Sequence, residues 1–301
     1  MNKSVSVSEN CVIDINNLSR SFGSKCALDN VSLRVPSGGV FALIGRNGAG
    51  KTTLIKHILG LYRAEKGSVR VFSHDPVSHP VQVLSRIGCV SEDRDLPGWM
   101  RVQELMHFTR SFYPAWDDRY AEELRVMFDL DPKQRVDQLS RGQGARMCLL
   151  LALAHRPDLL VLDEPSSGLD PVVRRDILAA IVRTIADEGR TVLFSSHLLD
   201  EVERVADRVA VIHDGQVTLQ GELDRIQESF HRITFRFENE FSEAPSILGA
   251  IENNGQGRQW TYVCRGDREQ VVSAARTLKA EIVQETPVSL DDIFICSISH
   301  D

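Results

Sequence analysis

Nothing in the 301 residues of this chain approaches the roughly 18 consecutive apolar residues of a membrane span. The longest candidate, Met147 to Ala154, is far too short. Paired cysteines are also missing. Cys11, Cys26, Cys89, Cys148, Cys264 and Cys296 are scattered with no C-x-x-C spacing. That excludes a disulfide or zinc framework and predicts small buried hydrophobes in a reducing compartment. Basic residues are in deficit: 35 Lys plus Arg against 42 Asp plus Glu leave a net charge of −7, so no nucleic-acid partner is expected. Met1 to Asn10 is polar with no signal-peptide core, and there is no internal repeat or low-complexity segment. Together these absences predict a cytoplasmic chain that reaches a membrane only through a partner.

What is present is concentrated in one run, Gly45-Arg46-Asn47-Gly48-Ala49-Gly50-Lys51-Thr52-Thr53, which fits the phosphate-binding loop G-x-x-x-x-G-K-[ST]. Val40 to Ile44 before it reads as a buried strand, and Thr52 to Leu59 after it has helical apolar spacing. The glycines let successive N–H groups turn inward on an anion, and the helix adds its positive end. Lys51 is placed to reach the β- and γ-phosphates, and the Thr52 hydroxyl to ligate Mg²⁺.

Around this loop the pattern predicts an α/β fold. Val12 to Ile15, Val31 to Val35 and Val69 to Phe72 alternate as half-exposed strands and predict a small antiparallel layer. A helical insertion is expected over about 93–155, with Leu105, Phe108 and Phe112 on one face and Leu124, Met127 and Phe128 on another. Leu159 to Leu162, Thr191 to Phe194 and Val209 to Ile212 read as buried parallel strands, with a helix from Pro171 to about Glu188 between the first two. After Ser229 the character changes. Ile233, Phe235 and Phe237 alternate with polar residues, Glu252 to Gly257 is loop-like, Trp260 to Val263 reads as a strand and Glu269 to Leu278 as a helix. The division expected is therefore a nucleotide-binding domain over 11–228 and a small α+β accessory domain over 229–301.

Asp163 and Glu164 close the apolar run Leu159 to Leu162, so they end a buried strand beside the loop. Asp163 would hold Mg²⁺ with Thr52, and Glu164 would deprotonate the attacking water. Leu139-Ser140-Arg141-Gly142-Gln143 opens a helix with Ser140 as its N-cap, a second place for an anion. With Ser166-Ser167-Gly168-Leu169-Asp170 and Ser195-Ser196-His197, these residues resemble the nucleotide-binding subunit of ATP-binding cassette (ABC) transporters. The match runs from about Cys11 to Gly221 in the family's order and spacing.

The resemblance implies a P-loop ATPase using ATP and Mg²⁺, with Lys51, Glu164 and His197 in catalysis. His197 stands at the switch histidine that contacts the γ-phosphate, and Phe22 at the aromatic that stacks on adenine. Ser140, Gly142, Gln143 and Asp170 would complete the ATP site of an opposite subunit, in a head-to-tail dimer with itself or a similar ATPase. Two positions depart from the family. Glu92 replaces the usual glutamine, where its carboxylate either faces Mg²⁺ or lies in solvent or at the membrane-subunit contact, and Arg141 replaces the first signature glycine. Two functions are compatible with these residues. One is the ATPase subunit of a transporter, peripheral on the inner face of the membrane beneath a separately encoded permease. The segment Thr286 to Phe294, with Ser289 as a helix cap, resembles the ending of export subunits. The other is a soluble ABC ATPase acting on ribosomes, DNA or iron–sulfur assembly. A single cassette, with no long coiled coil and no zinc-binding cysteines, favours transport.

Overall fold

The computed structural model describes residues 11–186 and 189–298; Met1 to Asn10 and the expected helix end at Glu188 lie outside the described residues. β1 (Cys11–Phe22) and β2 (Lys25–Pro36) pair antiparallel across Gly23, whose φ of +60° makes the turn. Ile13, Ile15, Leu18, Val31, Leu33 and Val35 are buried while Ser32 and Arg34 are exposed, the period-two burial of a sheet with one wet face. β3 (Gly39–Ile44) and α1 (Lys51–Ile58) follow, and β4 (Lys66–Val71) returns to pair with β1. The order β2-β1-β4 is the expected antiparallel layer.

α2 (Pro80–Leu84) and β5 (Ile87–Val90) lead into the helical stretch of α3 (Val102–Arg110), α4 (Asp118–Met127) and α5 (Arg141–Leu153). α5 buries Ala145, Met147, Cys148, Leu149, Leu150, Ala152 and Leu153, so it is apolar nearly all round. On the expected faces only part is covered. Leu105, Leu124 and Phe128 are buried, whereas Phe108, Phe112 and Met127 are exposed, the two phenylalanines edge-on at 5.1 Å. β6 (Leu159–Asp163), α6 (Pro171–Ala186), β7 (Thr191–Ser196), α7 (Leu199–Val205) and β8 (Arg208–His213) complete the α/β core. Asp214 and Gly215, both at positive φ, then turn the chain into β9 (Gln216–Glu222).

Six strands lie in the order β5-β6-β7-β3-β8-β9. The pairs of β3 with β7 and β8, and of β6 with β5 and β7, are parallel. Parallel strands covered on both faces are buried at every residue, as β6 and β7 are, their polar ends Asp163, Ser195 and Ser196 included. β3 sits inside this sheet, so the loop that leaves it starts from a rigid base. A fully buried residue such as Leu43 contributes about 1.5–3 kcal/mol there.

Two compact units divide between Val217 and Thr218, earlier than the expected boundary at 228 and 229. α8 (Leu223–Glu228) falls with the second unit because it packs on β10 (Phe230–Phe241). β11 (Ala250–Arg265), α9 (Arg268–Thr277), β12 (Ala280–Thr286) and α10 (Leu290–Ile298) complete that unit, with sheet order β11-β10-β12. Its core is Ile233, Phe235, Phe237, Trp260, Tyr262, Val271 and Ala275. The expected loop at Glu252 to Gly257 is instead mostly strand, because β11 doubles back on itself. Arg265 N–H donates to Gly249 O at 2.9 Å, and a Cβ on Gly255 would lie 2.4 Å from Gln259 O. The turn is confined to the region of Gly257, at φ +62°. Ser289 caps α10 as expected, exchanging hydrogen bonds with Asp292, which also pairs with Arg232 at 2.5 Å.

The cysteine expectation holds for Cys148, Cys264 and Cys296, which are buried and free. It fails for Cys26 and Cys89, which are exposed. Cys26 lies near the tip of the β1–β2 hairpin, and Cys89 on β5 at the edge of the six-stranded sheet. Among the described residues no helix is long and apolar enough to cross a membrane.

Candidate functional site

β3 ends at Ile44 and α1 begins at Lys51, and the six residues between them have no room for side chains at two points. A Cβ on Gly45 would lie 2.5 Å from Ile212 O, and one on Gly50 would lie 2.7 Å from Ala27 O. Gly48 and Gly50 stand at φ +83° and +115°, a left-handed backbone that glycine adopts at little cost. Gly50 is the N-cap of α1 yet gives it no side-chain hydrogen bond, and the first turn holds no acidic residue. The first N–H groups of α1 are left for an anion.

Beside this helix end lies a cavity of about 320 Å³ lined by Phe22, Lys25, Ala27, Asn47, Gly48, Gly50, Lys51, Thr52, Thr53, Glu92 and Glu164. Nine of these were expected from the sequence; Lys25 and Ala27 were not, and they enter because the β1–β2 hairpin leans over the loop. Gly45, Arg46 and Ala49 shape the loop without lining the cavity. Phe22 is partly exposed, with the Arg20 guanidinium 4.8 Å from its ring centroid and Tyr62 edge-on at 5.5 Å.

Behind the cavity is a buried polar network. Lys51 Nζ lies 2.9 Å from Glu164 Oε1 and donates to Gly45 O at 2.7 Å and Arg46 O at 3.3 Å. His197 Nδ1 lies 2.7 Å from Glu164 Oε2, the geometry of an imidazole N–H donating to a carboxylate. Lys51, Asp163 and Glu164 are all buried, and removing one partner of such a pair leaves an uncompensated charge. Ser195 Oγ donates to Asp163 Oδ1 at 2.7 Å and accepts from Glu164 N–H at 2.8 Å. Glu164 itself is at φ +48°, a strained backbone that surrounding contacts must hold. Thr52 and Glu92 line the cavity and Asp163 lies buried behind it on Ser195 Oγ; all three offer the oxygen donors a hard divalent cation takes. Among the described residues no three His, Cys, Asp or Glu side chains cluster tightly enough to hold a metal by themselves. This donor set fits Mg²⁺ if phosphate oxygens and water supply the remaining ligands.

The other expected residues lie outside this cavity. Ser140 caps α5 in a reciprocal box: Gln143 N–H donates to Ser140 Oγ at 3.1 Å, and Ser140 N–H to Gln143 Oε1 at 3.0 Å. Gly142 packs so closely on α6 that a Cβ would lie 2.7 Å from Val173 Cγ2. Asp170 accepts from the N–H groups of Val172 and Val173 at 2.9 and 3.1 Å, which caps α6. Its place before Pro171 was a legible capping signal. One buried acid escaped sequence reading: Glu201 on α7 accepts from Ser166 Oγ at 2.5 Å, and burial pushes its carboxyl above the usual range.

The family described as ABC transporter matches residues 28–167. The chain is 29% identical to the ABC transporter ATP-binding protein YtrB of Bacillus subtilis, over 94% of this chain and 97% of that one. It is 34% identical to the Nod factor export ATP-binding protein I of Burkholderia lata, over 72% of this chain and 73% of that one. Among solved structures it resembles the ATP-binding subunit of an ABC transporter, with a TM-score of 0.66 and 27% identity over 72% of this chain and 92% of that one.

Proposed function

Because the chain belongs to the ABC transporter family as an ATP-binding subunit and an ATPase, we propose that the cavity beside α1 is its hydrolytic site and that Glu164 is the base. The observation that carries this is the Glu164 carboxylate itself. It lines the cavity, is buried, and is held between Lys51 at 2.9 Å and His197 at 2.7 Å. A buried carboxylate with a cation on one oxygen and an imidazole on the other is fixed in aim, and Oε1 becomes available to accept a proton from water when Lys51 leaves it for a phosphate.

In this reading the triphosphate enters at the uncapped end of α1 and takes Lys51 from its resting partners, while Phe22 stacks on adenine. Thr52, Asp163 and Glu92 would hold Mg²⁺, which when bound neutralises phosphate charge. Ser140, Gly142, Gln143 and Asp170 serve the ATP of a partner subunit, whose own loop faces them in a head-to-tail dimer. The cassette is assigned to 11–228, with its helical insertion at 93–155, and an accessory domain to 229–301. A separately encoded membrane subunit uses the motion, and export is favoured because a relative of 34% identity is named for export. In this reading the chain sits on the inner face of the membrane through its permease.

The test is Glu164→Gln. Turnover should fall by about 10²-fold or more, with ATP affinity within about twofold, because the base is lost and the cradle is not. Near-normal turnover in a pure preparation would sink the assignment.

A further inference from the structure

The segment that follows Glu92 turns sharply: Arg94 stands at φ +50°, with its N–H donating to Ser91 O at 3.3 Å. A long side chain in the left-handed region persists where its surroundings over-determine it. The guanidinium supplies that constraint. Arg94 Nη2 donates to Glu164 O at 3.3 Å, Pro165 O at 2.8 Å and Ser167 O at 3.1 Å. All three carbonyls belong to the turn that leaves β6 with the catalytic carboxylate. They converge on one nitrogen, an arrangement in which three negative dipole ends face each other and need a cation at their focus. Arg94 Nε is buried and, among the described residues, has no hydrogen-bond partner. The side chain is half-buried, with its buried end turned to this one focus.

The same turn is held from the opposite side. Glu164 N–H donates to Ser195 Oγ at 2.8 Å, so the strained residue is anchored to β7 at its nitrogen and to Arg94 at its carbonyl. We propose that Arg94 is a positioning residue for hydrolysis. It sets the aim of the Glu164 carboxylate through the three carbonyls, and it makes that aim depend on where the Glu92 segment stands. This rests on Glu164 being the base. Arg94 does not line the cavity; it acts through the backbone of Glu164, which does.

The experiment compares Arg94→Met, which keeps the apolar stem and loses every donor, with Arg94→Lys, which keeps three donors on one charged nitrogen. In the full chain Arg94→Met should lower kcat about 10- to 100-fold, the scale of a small misplacement at a reacting centre. KM and the affinity for a fluorescent ATP analogue should stay within about twofold. Arg94→Lys should bring kcat back to within about fivefold of the unmodified chain. In the Glu164→Gln background, Arg94→Met should lower the residual rate by less than about twofold, since the group it aims is gone. Where Arg94→Met does not fold, Arg94→Gln takes its place, with an expected kcat below that of Arg94→Lys. The proposal is overturned if kcat is unchanged, if KM carries the whole effect, or if Arg94→Met is as damaging with Gln at 164 as with Glu. An inactive Glu164→Gln beside a normal Arg94→Met defeats this inference alone; an active Glu164→Gln defeats the reading beneath it.

Discussion

Two helix starts in this molecule meet the same physical problem and answer it differently. Each leaves backbone N–H groups without intrahelical partners. At α5 the chain satisfies them itself, with Ser140 and Gln143 exchanging hydrogen bonds in a reciprocal box. At α1 it does not: Gly50 gives no side-chain cap, the first turn carries no acid, and a cavity of about 320 Å³ opens beside it. The difference separates a helix end that is complete in the single chain from one that is finished by its ligand. The box at α5 uses Ser140 Oγ only as an acceptor, so its O–H can still donate to a phosphate with the cap intact, whereas the α1 amides have no cap and depend on the ligand.

The sharpest way to break this contrast is Gly50→Ala. Its Cβ would lie 2.7 Å from Ala27 O at a φ of +115°, so the loop must move and the amides lose their convergence. ATP-analogue affinity should drop by about 100-fold, or about 2.7 kcal/mol. Circular dichroism shows whether the fold survives, and a folded variant with unchanged affinity would mean the loop is not the cradle. Ser140→Ala probes the other end. Losing a cap costs about 1 kcal/mol, which lowers Tm by roughly 2–4 °C in a domain of this size. Binding of ATP to the isolated chain should be unmoved while turnover falls. If single-chain affinity falls as far as with Gly50→Ala, the two helix ends serve one nucleotide and the contrast fails.

The smallest effect is expected at a third helix start. α7 has its own carboxylates in the first turn, and Glu201 is buried there against Ser166. Burial raises its folded pKa above the ordinary glutamate value of about 4.3. The sign follows: its contribution to stability is complete below the ordinary value and is lost as pH rises through the raised one. Glu201→Gln, which cannot ionise, should therefore gain stability relative to the unmodified chain as pH climbs across that window. Denaturant titrations at a series of pH values measure the gap. A gap that narrows with rising pH contradicts the burial argument.

Much of the core could be read before any coordinates, since buried parallel strands and the phosphate loop are both written in short contiguous runs. Val40 to Ile44 and Leu159 to Leu162 announce their burial by having no polar member. The doubling of β11 could not be read the same way. Its first arm contains Glu252, Asn253 and Asn254, which are poor strand formers, and they become strand where the chain folds back so that Arg265 N–H reaches Gly249 O. At the site, every residue found by motif is local in sequence. Arg94 and Glu201 were missed because their partners, Glu164 and Ser166, are contributed by another segment altogether. Nor does a period mark them: Glu201 occupies a buried position that a pattern-based reading would give to an apolar residue.

The place of β3 within its sheet has a consequence for how the molecule comes into being. Its neighbours are β7 and β8, residues 191–196 and 208–213, while β3 itself is made at residues 39–44. At a synthesis rate of about 5–20 residues per second, on the order of ten seconds pass before the strand that carries the loop has either neighbour. Throughout that interval a fully apolar strand has both edges open, and contacts this distant in sequence form slowly even in a complete chain. The nascent chain therefore carries an unpaired apolar strand for seconds, and its nucleotide site cannot be complete until β7 and His197 have been made.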